Sequence, residues 1–221
     1  MPRSSLSSHS PRPTKAGISR RQTISVLLLA AALPWLGGCD QLTGGAATPA
    51  FKGIDITGAQ YAQDFALTDF NGTPRTLADY RGKAVMLYFG FVQCPDVCPT
   101  ALTRAAEVNR LLGPDAAERV QLLFVTVDPE RDTPELLRDY MAAFDPSFVA
   151  LTGSMEQIQA TADAFRVYFK KVPTGSTYTM DHTALTYLFD PQGKVRAAFR
   201  HEQPAADYAA DIQLVLAETA V

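Results

Sequence analysis

Two cysteines four residues apart, in Gln93-Cys94-Pro95-Asp96-Val97-Cys98-Pro99, are the residues of this 221-residue chain with the most pronounced chemistry. The plainest use for such a pair is a structural disulfide. A bridge that closes three intervening residues removes little chain entropy, because the gain grows with loop length, so stability is a weak reason to keep one. Reactivity is the stronger reason. Two close thiols either cycle between dithiol and disulfide or hold a soft metal ion. Two sulfurs select Cu(I) or Zn(II); a closed zinc site takes four ligands, whereas Cu(I) is content with fewer, and the question becomes whether a third ligand exists.

The chain has three histidines. His9 lies in the N-terminal leader. His201, beside Glu202 at a predicted strand end, reads as a solvated surface residue. His182 lies in Tyr178-Thr-Met-Asp-His-Thr183, directly before a predicted strand. A lone loop histidine is ordinarily just a polar side chain, so its placement decides its role.

Placement follows from the elements. Residues 84–91 form a continuous apolar run, as a strand buried on both faces would. The cysteine segment comes next, then an amphipathic helix over about 100–112 that Gly113-Pro114 stops. Residues 120–127 read as a second buried strand. Residues 128–133 are a loop ending in the N-cap Thr133, with Pro134 at the first position of a helix through Phe144. Asp132 and Thr133 read as turn and cap, and Asp128 is a candidate to line the site. A short strand over 148–151 precedes a helix capped by Ser154 and Gln157 and running to about Phe165. Strands over 184–189 and 195–200, joined by the turn Asp190-Pro-Gln-Gly193, make a terminal hairpin, and a helix over 204–217 closes the chain. Alternating strands and helices with a final hairpin give a three-layer α/β sandwich, with the cysteine pair where a buried strand hands over to a helix. That is the thioredoxin-like arrangement. A helix N-terminus stabilises thiolate, the form that attacks disulfides and binds metals. With four-residue spacing both sulfurs can point the same way from successive turns of the helical start. In this fold the connection before the penultimate strand faces the cysteine loop and usually carries a cis-proline; here it offers His182. That makes His182 the candidate third metal ligand beside Cys94 and Cys98, with Asp181 as an orienting acceptor or weak ligand.

The N-terminus reads as an address. Arg20-Arg21 precede an apolar run over 24–36, and Gly37-Gly38-Cys39 follow, the pattern of a secretory signal ending in a bacterial lipobox. The run is short of the roughly 20 residues that span a bilayer. The expected organisation is a lipoprotein-type signal peptide over 1–38, acylation at Cys39, a Gly/Ala/Thr-rich flexible tether over 39–50, and one domain over 51–221. A plain signal anchor is the alternative. Ser19-Arg20-Arg21 resembles an imperfect twin-arginine signal, and Asp40 resembles an inner-membrane retention signal. The expected location is the periplasmic face of the inner membrane in a bacterial cell envelope, through a lipid anchor. Residues 1–38 hold five basic and no acidic residues, leaving 15 basic against 23 acidic in the remainder. Such a body lacks the basic footprint that nucleic-acid binding requires.

Four blocks, in order, resemble the Sco/SenC family, copper chaperones of cytochrome c oxidase assembly. They are Asp64-Phe-Ala-Leu-Thr-Asp69; Tyr88-Phe-Gly-Phe91 running into Cys94-Pro-Asp-Val-Cys-Pro99; Val127-Asp-Pro-Glu-Arg-Asp-Thr-Pro134; and Asp181-His182, within a match over roughly 63–216. The resemblance implies copper, as Cu(I) with Cu(II) left open, held by Cys94, Cys98 and His182. It also implies delivery of copper to, or reduction of thiols in, the dinuclear copper (CuA) centre of oxidase subunit II or another periplasmic copper protein. A membrane-tethered thiol-disulfide oxidoreductase needs only the redox pair Cys94 and Cys98 and stands as the alternative. A peroxiredoxin is disfavoured, since no Pro-x-x-x-Thr-x-x-Cys pattern precedes Cys94. A structural lipoprotein would leave the strand-to-helix placement and His182 unexplained.

Overall fold

The computed structural model describes residues 50–218. The leader, Cys39 and the tether through Pro49 lie outside the described residues. In chain order the elements are β1 (Ile54–Asp55), β2 (Leu67–Asp69), β3 (Pro74–Arg75), a 3-10 turn (Leu77–Tyr80), β4 (Ala84–Gly90), α1 (Val97–Leu112) and α2 (Pro114–Ala117). There follow β5 (Val120–Thr126), α3 (Pro134–Ala142), β6 (Val149–Thr152), α4 (Met155–Phe165), β7 (Phe169–Thr174), β8 (Thr177–His182), β9 (Thr186–Phe189), β10 (Val195–Phe199) and α5 (Ala205–Ala217).

Eight strands form one mixed sheet in the order β1-β10-β9-β4-β5-β6-β2-β3. Its centre is the parallel pair β4 and β5, whose seven residues each are all buried. Neighbouring residues of a strand face opposite sides, and β4 uses this to build both layers. Tyr88 packs on Phe124, which meets Tyr140 of α3, while Phe89 packs edge-on to Phe165 of α4. Helices α1 and α5 pack against one another, and Cys98 of α1 meets the Tyr88 hydroxyl, so α1, α3 and α5 cover one face and α4 the other. This is the expected three-layer thioredoxin-like sandwich with its terminal hairpin (β9–β10) and C-terminal helix.

Local chemistry sets the helix starts as the sequence predicts. Thr133 accepts from the N–H of Leu136, and Ser154 and Gln157 form a reciprocal capping box. The start of the domain is fastened by a buried carboxylate: Asp211 of α5 accepts from the backbone N–H groups of Lys52 and Gly53, each at 2.8 Å.

Two features differ from expectation. Helix α1 begins at Val97, not near Thr100, because a proline at the third helical position needs no partner for its missing N–H. Residues 169–182, to which the sequence reading assigns no element, form a two-stranded antiparallel ribbon, β7–β8, separate from the main sheet. Its turn is Gly175-Ser176, with Gly175 at φ 64°, where a residue without a Cβ is favoured.

Candidate metal and redox centre

The site is built at the C-terminal end of β4, where that strand runs through Phe91 into the cysteine loop. Cys94 lies ahead of α1 and Cys98 is its second residue, so the two sulfurs do not come from successive helical turns. Instead Cys94 serves the helix end. The N–H of Cys98, one of the donors a helix N-terminus leaves without an intrahelical partner, points at Cys94 Sγ at 3.4 Å. Cys98 Sγ is completely buried and receives the Tyr88 hydroxyl at 3.8 Å. Room for it depends on Gly90: a Cβ there would lie 2.9 Å from Cys98 Sγ and 2.7 Å from the Phe124 ring.

His182 is the last residue of β8, not a loop residue. Its Nε2 lies 3.5 Å from Cys98 Sγ. Its Nδ1 lies 3.2 Å from the carbonyl oxygen of Thr183. A carbonyl only accepts, so in the neutral ring Nδ1 carries the hydrogen and the Nε2 lone pair faces the sulfurs. Tyr88 and Phe91 hold the ring edge-on, with centroids at 6.0 and 5.9 Å. Cys94 Sγ, Cys98 Sγ and a ring nitrogen of His182 all lie within 4.8 Å of one another, and this is a metal-sized group among the described residues. An open cleft of about 340 Å³, lined by Cys94, Pro95, Asp96, Met180, Asp181 and His182, gives access to it.

The two thiols are unequal. Both are free and buried. The Cys98 thiol donating to Cys94 pulls Cys94 well below the ordinary thiol range, against a smaller opposing effect of burial. Cys98 is pushed far up, because its proton is engaged by Cys94 and because it is buried beside that thiolate. Cys94 is therefore the more readily ionised of the two thiols, and thiolate is the form that attacks disulfides and binds metals.

The remaining sequence candidates fall into place around this centre. Asp181 is exposed on the ribbon in register with Lys170; the Thr183 carbonyl, and not Asp181, orients the imidazole. His201 lies in the turn between β10 and α5 and is not part of the Cys94, Cys98 and His182 group. Asp128 is fully buried and accepts from the hydroxyl of Tyr178 on the ribbon. Asp132, read as a turn residue, is also buried: its Oδ2 accepts from the N–H of Val92 at 3.1 Å and from Thr126 Oγ1 at 2.6 Å. The sequence reading missed Gly90 and Tyr88 as parts of the site. In the first block, Asp64 and Asp69 accept backbone N–H groups around β2 and β3 and serve the fold.

The SCO1/SenC family model matches residues 55–217. The chain belongs to the SCO1/SenC family. The mouse mitochondrial SCO1 homolog is 40% identical over 151 residues, 67% of this chain and 53% of the mouse protein. The chain thus spans about half the length of that relative. The structure of Bradyrhizobium japonicum ScoI with copper bound is 42% identical, covering 69% of this chain and 98% of that one, with a TM-score of 0.64. A SCO1/SenC family lipoprotein from Bacillus anthracis is 25% identical, covering 75% of this chain and 99% of that one, with a TM-score of 0.63.

Proposed function

We propose that this SCO1/SenC protein carries copper on Cys94, Cys98 and His182 and serves the assembly of the dinuclear copper centre of cytochrome c oxidase subunit II. The observation that carries the reading is the convergence of two sulfurs and one imidazole nitrogen within 4.8 Å at an open cleft. The donor set fits the ion. Two thiolates satisfy Cu(I), and the imidazole adds the nitrogen that Cu(II) prefers, while zinc would be left short of a closed shell. The related ScoI of Bradyrhizobium japonicum holds copper. Copper is cargo in this reading, so a cleft that leaves the ion accessible suits its release. The test is copper loading of the reduced domain: about one ion is expected per wild-type chain, none held tightly by Cys94→Ser or Cys98→Ser, and much weaker retention of Cu(II) by His182→Ala. Wild-type retention of Cu(II) by His182→Ala would end the three-ligand reading.

The asymmetric thiols support a second reading, reduction of a target disulfide. The Cys94 thiolate attacks one target sulfur and forms a mixed disulfide. Cys98 gives its proton to the target thiolate released in that step, then attacks Cys94 Sγ and displaces the target sulfur held in the mixed disulfide, which takes a proton from water. The product is a Cys94–Cys98 disulfide and a target dithiol, two electrons having passed to the target. Oxidation removes both thiolates and expels Cu(I), so the two readings are linked through one pair. Undiminished thiol exchange by His182→Ala, alongside weakened Cu(II) retention, is what the combined reading expects.

Anchoring at the periplasmic face of a bacterial inner membrane through an acylated Cys39 is part of the proposal. Among the described residues no helix is long and apolar enough to cross a membrane, and a family member in Bacillus anthracis is a lipoprotein. Mass spectrometry of the membrane-extracted chain should find the acyl mass on Cys39. Recovery of the protein in the membrane fraction after Cys39→Ser would defeat the lipid anchor.

A further inference from the structure

Residues 128–132, between β5 and α3, touch both arms of the site. On the cysteine side, Asp132 holds the N–H of Val92, two residues before Cys94. On the histidine side, Arg131 Nη1 donates to the Tyr178 carbonyl at 2.8 Å, and its guanidinium lies 3.7 Å above the Tyr178 ring. The same Nη1 donates to Gln93 Oε1 at 3.1 Å, next to Cys94. Asp128 completes the knot. Its carboxylate is fully buried, accepts from Arg131 Nε with one oxygen and from the Tyr178 hydroxyl with the other at 2.9 Å.

The ribbon needs such a hold, because it shares no strand pairing with the main sheet. Strand alternation puts Tyr178, Met180 and His182 on one face of β8. It is also tied by buried Met180 and by Phe169 packed against the core, by an exposed Lys171–Glu130 pair, which contributes little, and by bonds between Tyr168 and Thr183 at its own base; these anchor the strands without fixing the end of β8 on the cysteine side. A half-buried guanidinium beside a buried carboxylate is a poor device for stability alone, whereas its forked donors define an orientation well.

We propose that Arg131 is a positioning residue, a latch that holds the His182 ribbon against the cysteine loop and so decides whether an ion on the two sulfurs acquires the imidazole as a third ligand. This rests on the copper reading above only for its second half. The first half, that Arg131 sets the position of His182, concerns the metal-free protein.

The test reads the halves separately in the reduced full-length chain. In metal-free protein, NMR should show contacts from the His182 ring to the rings of Tyr88 and Phe91. Arg131→Met should abolish them, and Arg131→Lys, which keeps the charge but not the fork, should behave like Arg131→Met. Copper titrations should show Cu(II) binding weakened about 10- to 100-fold with Cu(I) binding near wild type. Persistence of the ring contacts in Arg131→Met, or their rescue by Arg131→Lys, overturns the latch. Lost contacts with unchanged Cu(II) affinity overturn its role in ligand choice. If circular dichroism shows Arg131→Met unfolded, Tyr178→Leu takes its place with the same criteria. His182→Ala run in parallel separates failure of the latch from failure of the copper reading.

Discussion

The sulfur of Cys98 stands 3.5 Å from Nε2 of His182, across 84 positions of chain. One partner sits in the first turn of α1, behind Cys94, and the other ends a ribbon that has its own two-stranded sheet. The centre is therefore an interface between a rigid half and a separately held half.

Inequality of the thiols predicts their reactivity. In reduced, metal-free protein, alkylation should modify Cys94 first, and its rate should stay nearly flat as pH falls through the neutral range, since the Cys98 thiol keeps Cys94 ionised. Cys98, with its raised thiol, should react only at high pH or after unfolding. Peptide mapping over a pH series checks this, and preferential labelling of Cys98 at neutral pH would refute it.

Gly90→Ala places a methyl against Cys98 Sγ and the Phe124 ring, both closer than real Cβ contacts allow. Overpacking of this kind costs about 1–3 kcal/mol. Urea unfolding should show that loss, and copper retention should fall with it because the displaced atom is a sulfur of the site.

Burial pushes the Asp132 carboxyl up to about 6, despite bonds from Thr126 and Val92 that favour its charge. A carboxyl raised on folding takes up its proton more readily in the native state. Its stabilising contribution is then full below the unfolded value near 4 and is lost as pH rises through about 6. Asp132→Asn, which can keep an acceptor for the Val92 N–H, should gain on wild type by about 1–3 kcal/mol between pH 4 and pH 7. Denaturation curves at those two pH values decide it, and an unchanged difference would show that Asp132 does not titrate in this window.

Asp211→Ala removes the acceptor for the N–H groups of Lys52 and Gly53. Losing these two part-buried hydrogen bonds costs about 1–3 kcal/mol. Hydrogen exchange should accelerate over residues 52–56 while the amides of β4 and β5 keep their relative protection; uniform acceleration would mean that the contact supports the whole fold.

Much of this architecture is legible in the residues. The apolar runs of β4 and β5, Thr133 with Pro134, and the Ser154/Gln157 box each state a local preference that the tertiary structure does not override. The start of helix α1 is not legible in the sequence, because Pro99 reads as a boundary although proline is tolerated in a first turn. The β7–β8 ribbon is weakly legible because β7 follows no two-residue alternation, though Gly175-Ser176 is a two-residue hairpin signal. Asp132 passed for a turn residue because an aspartate's partners across the fold leave no trace in its neighbours.

The sequence by itself determined which atoms are available: a reactive cysteine pair at the end of a buried strand, one histidine before another strand, and a thioredoxin-like order of elements. Spacing and periodicity are local quantities, and these features are local. Only the tertiary structure decided that Cys98 is sealed under Tyr88, that Gly90 leaves space for its sulfur, and that Arg131 and Asp128 reach the ribbon carrying His182. Those relations join residues that are 8 to 50 positions apart, and such pairs are fixed by packing and by the pairing of buried charge, which no stretch of chain encodes alone.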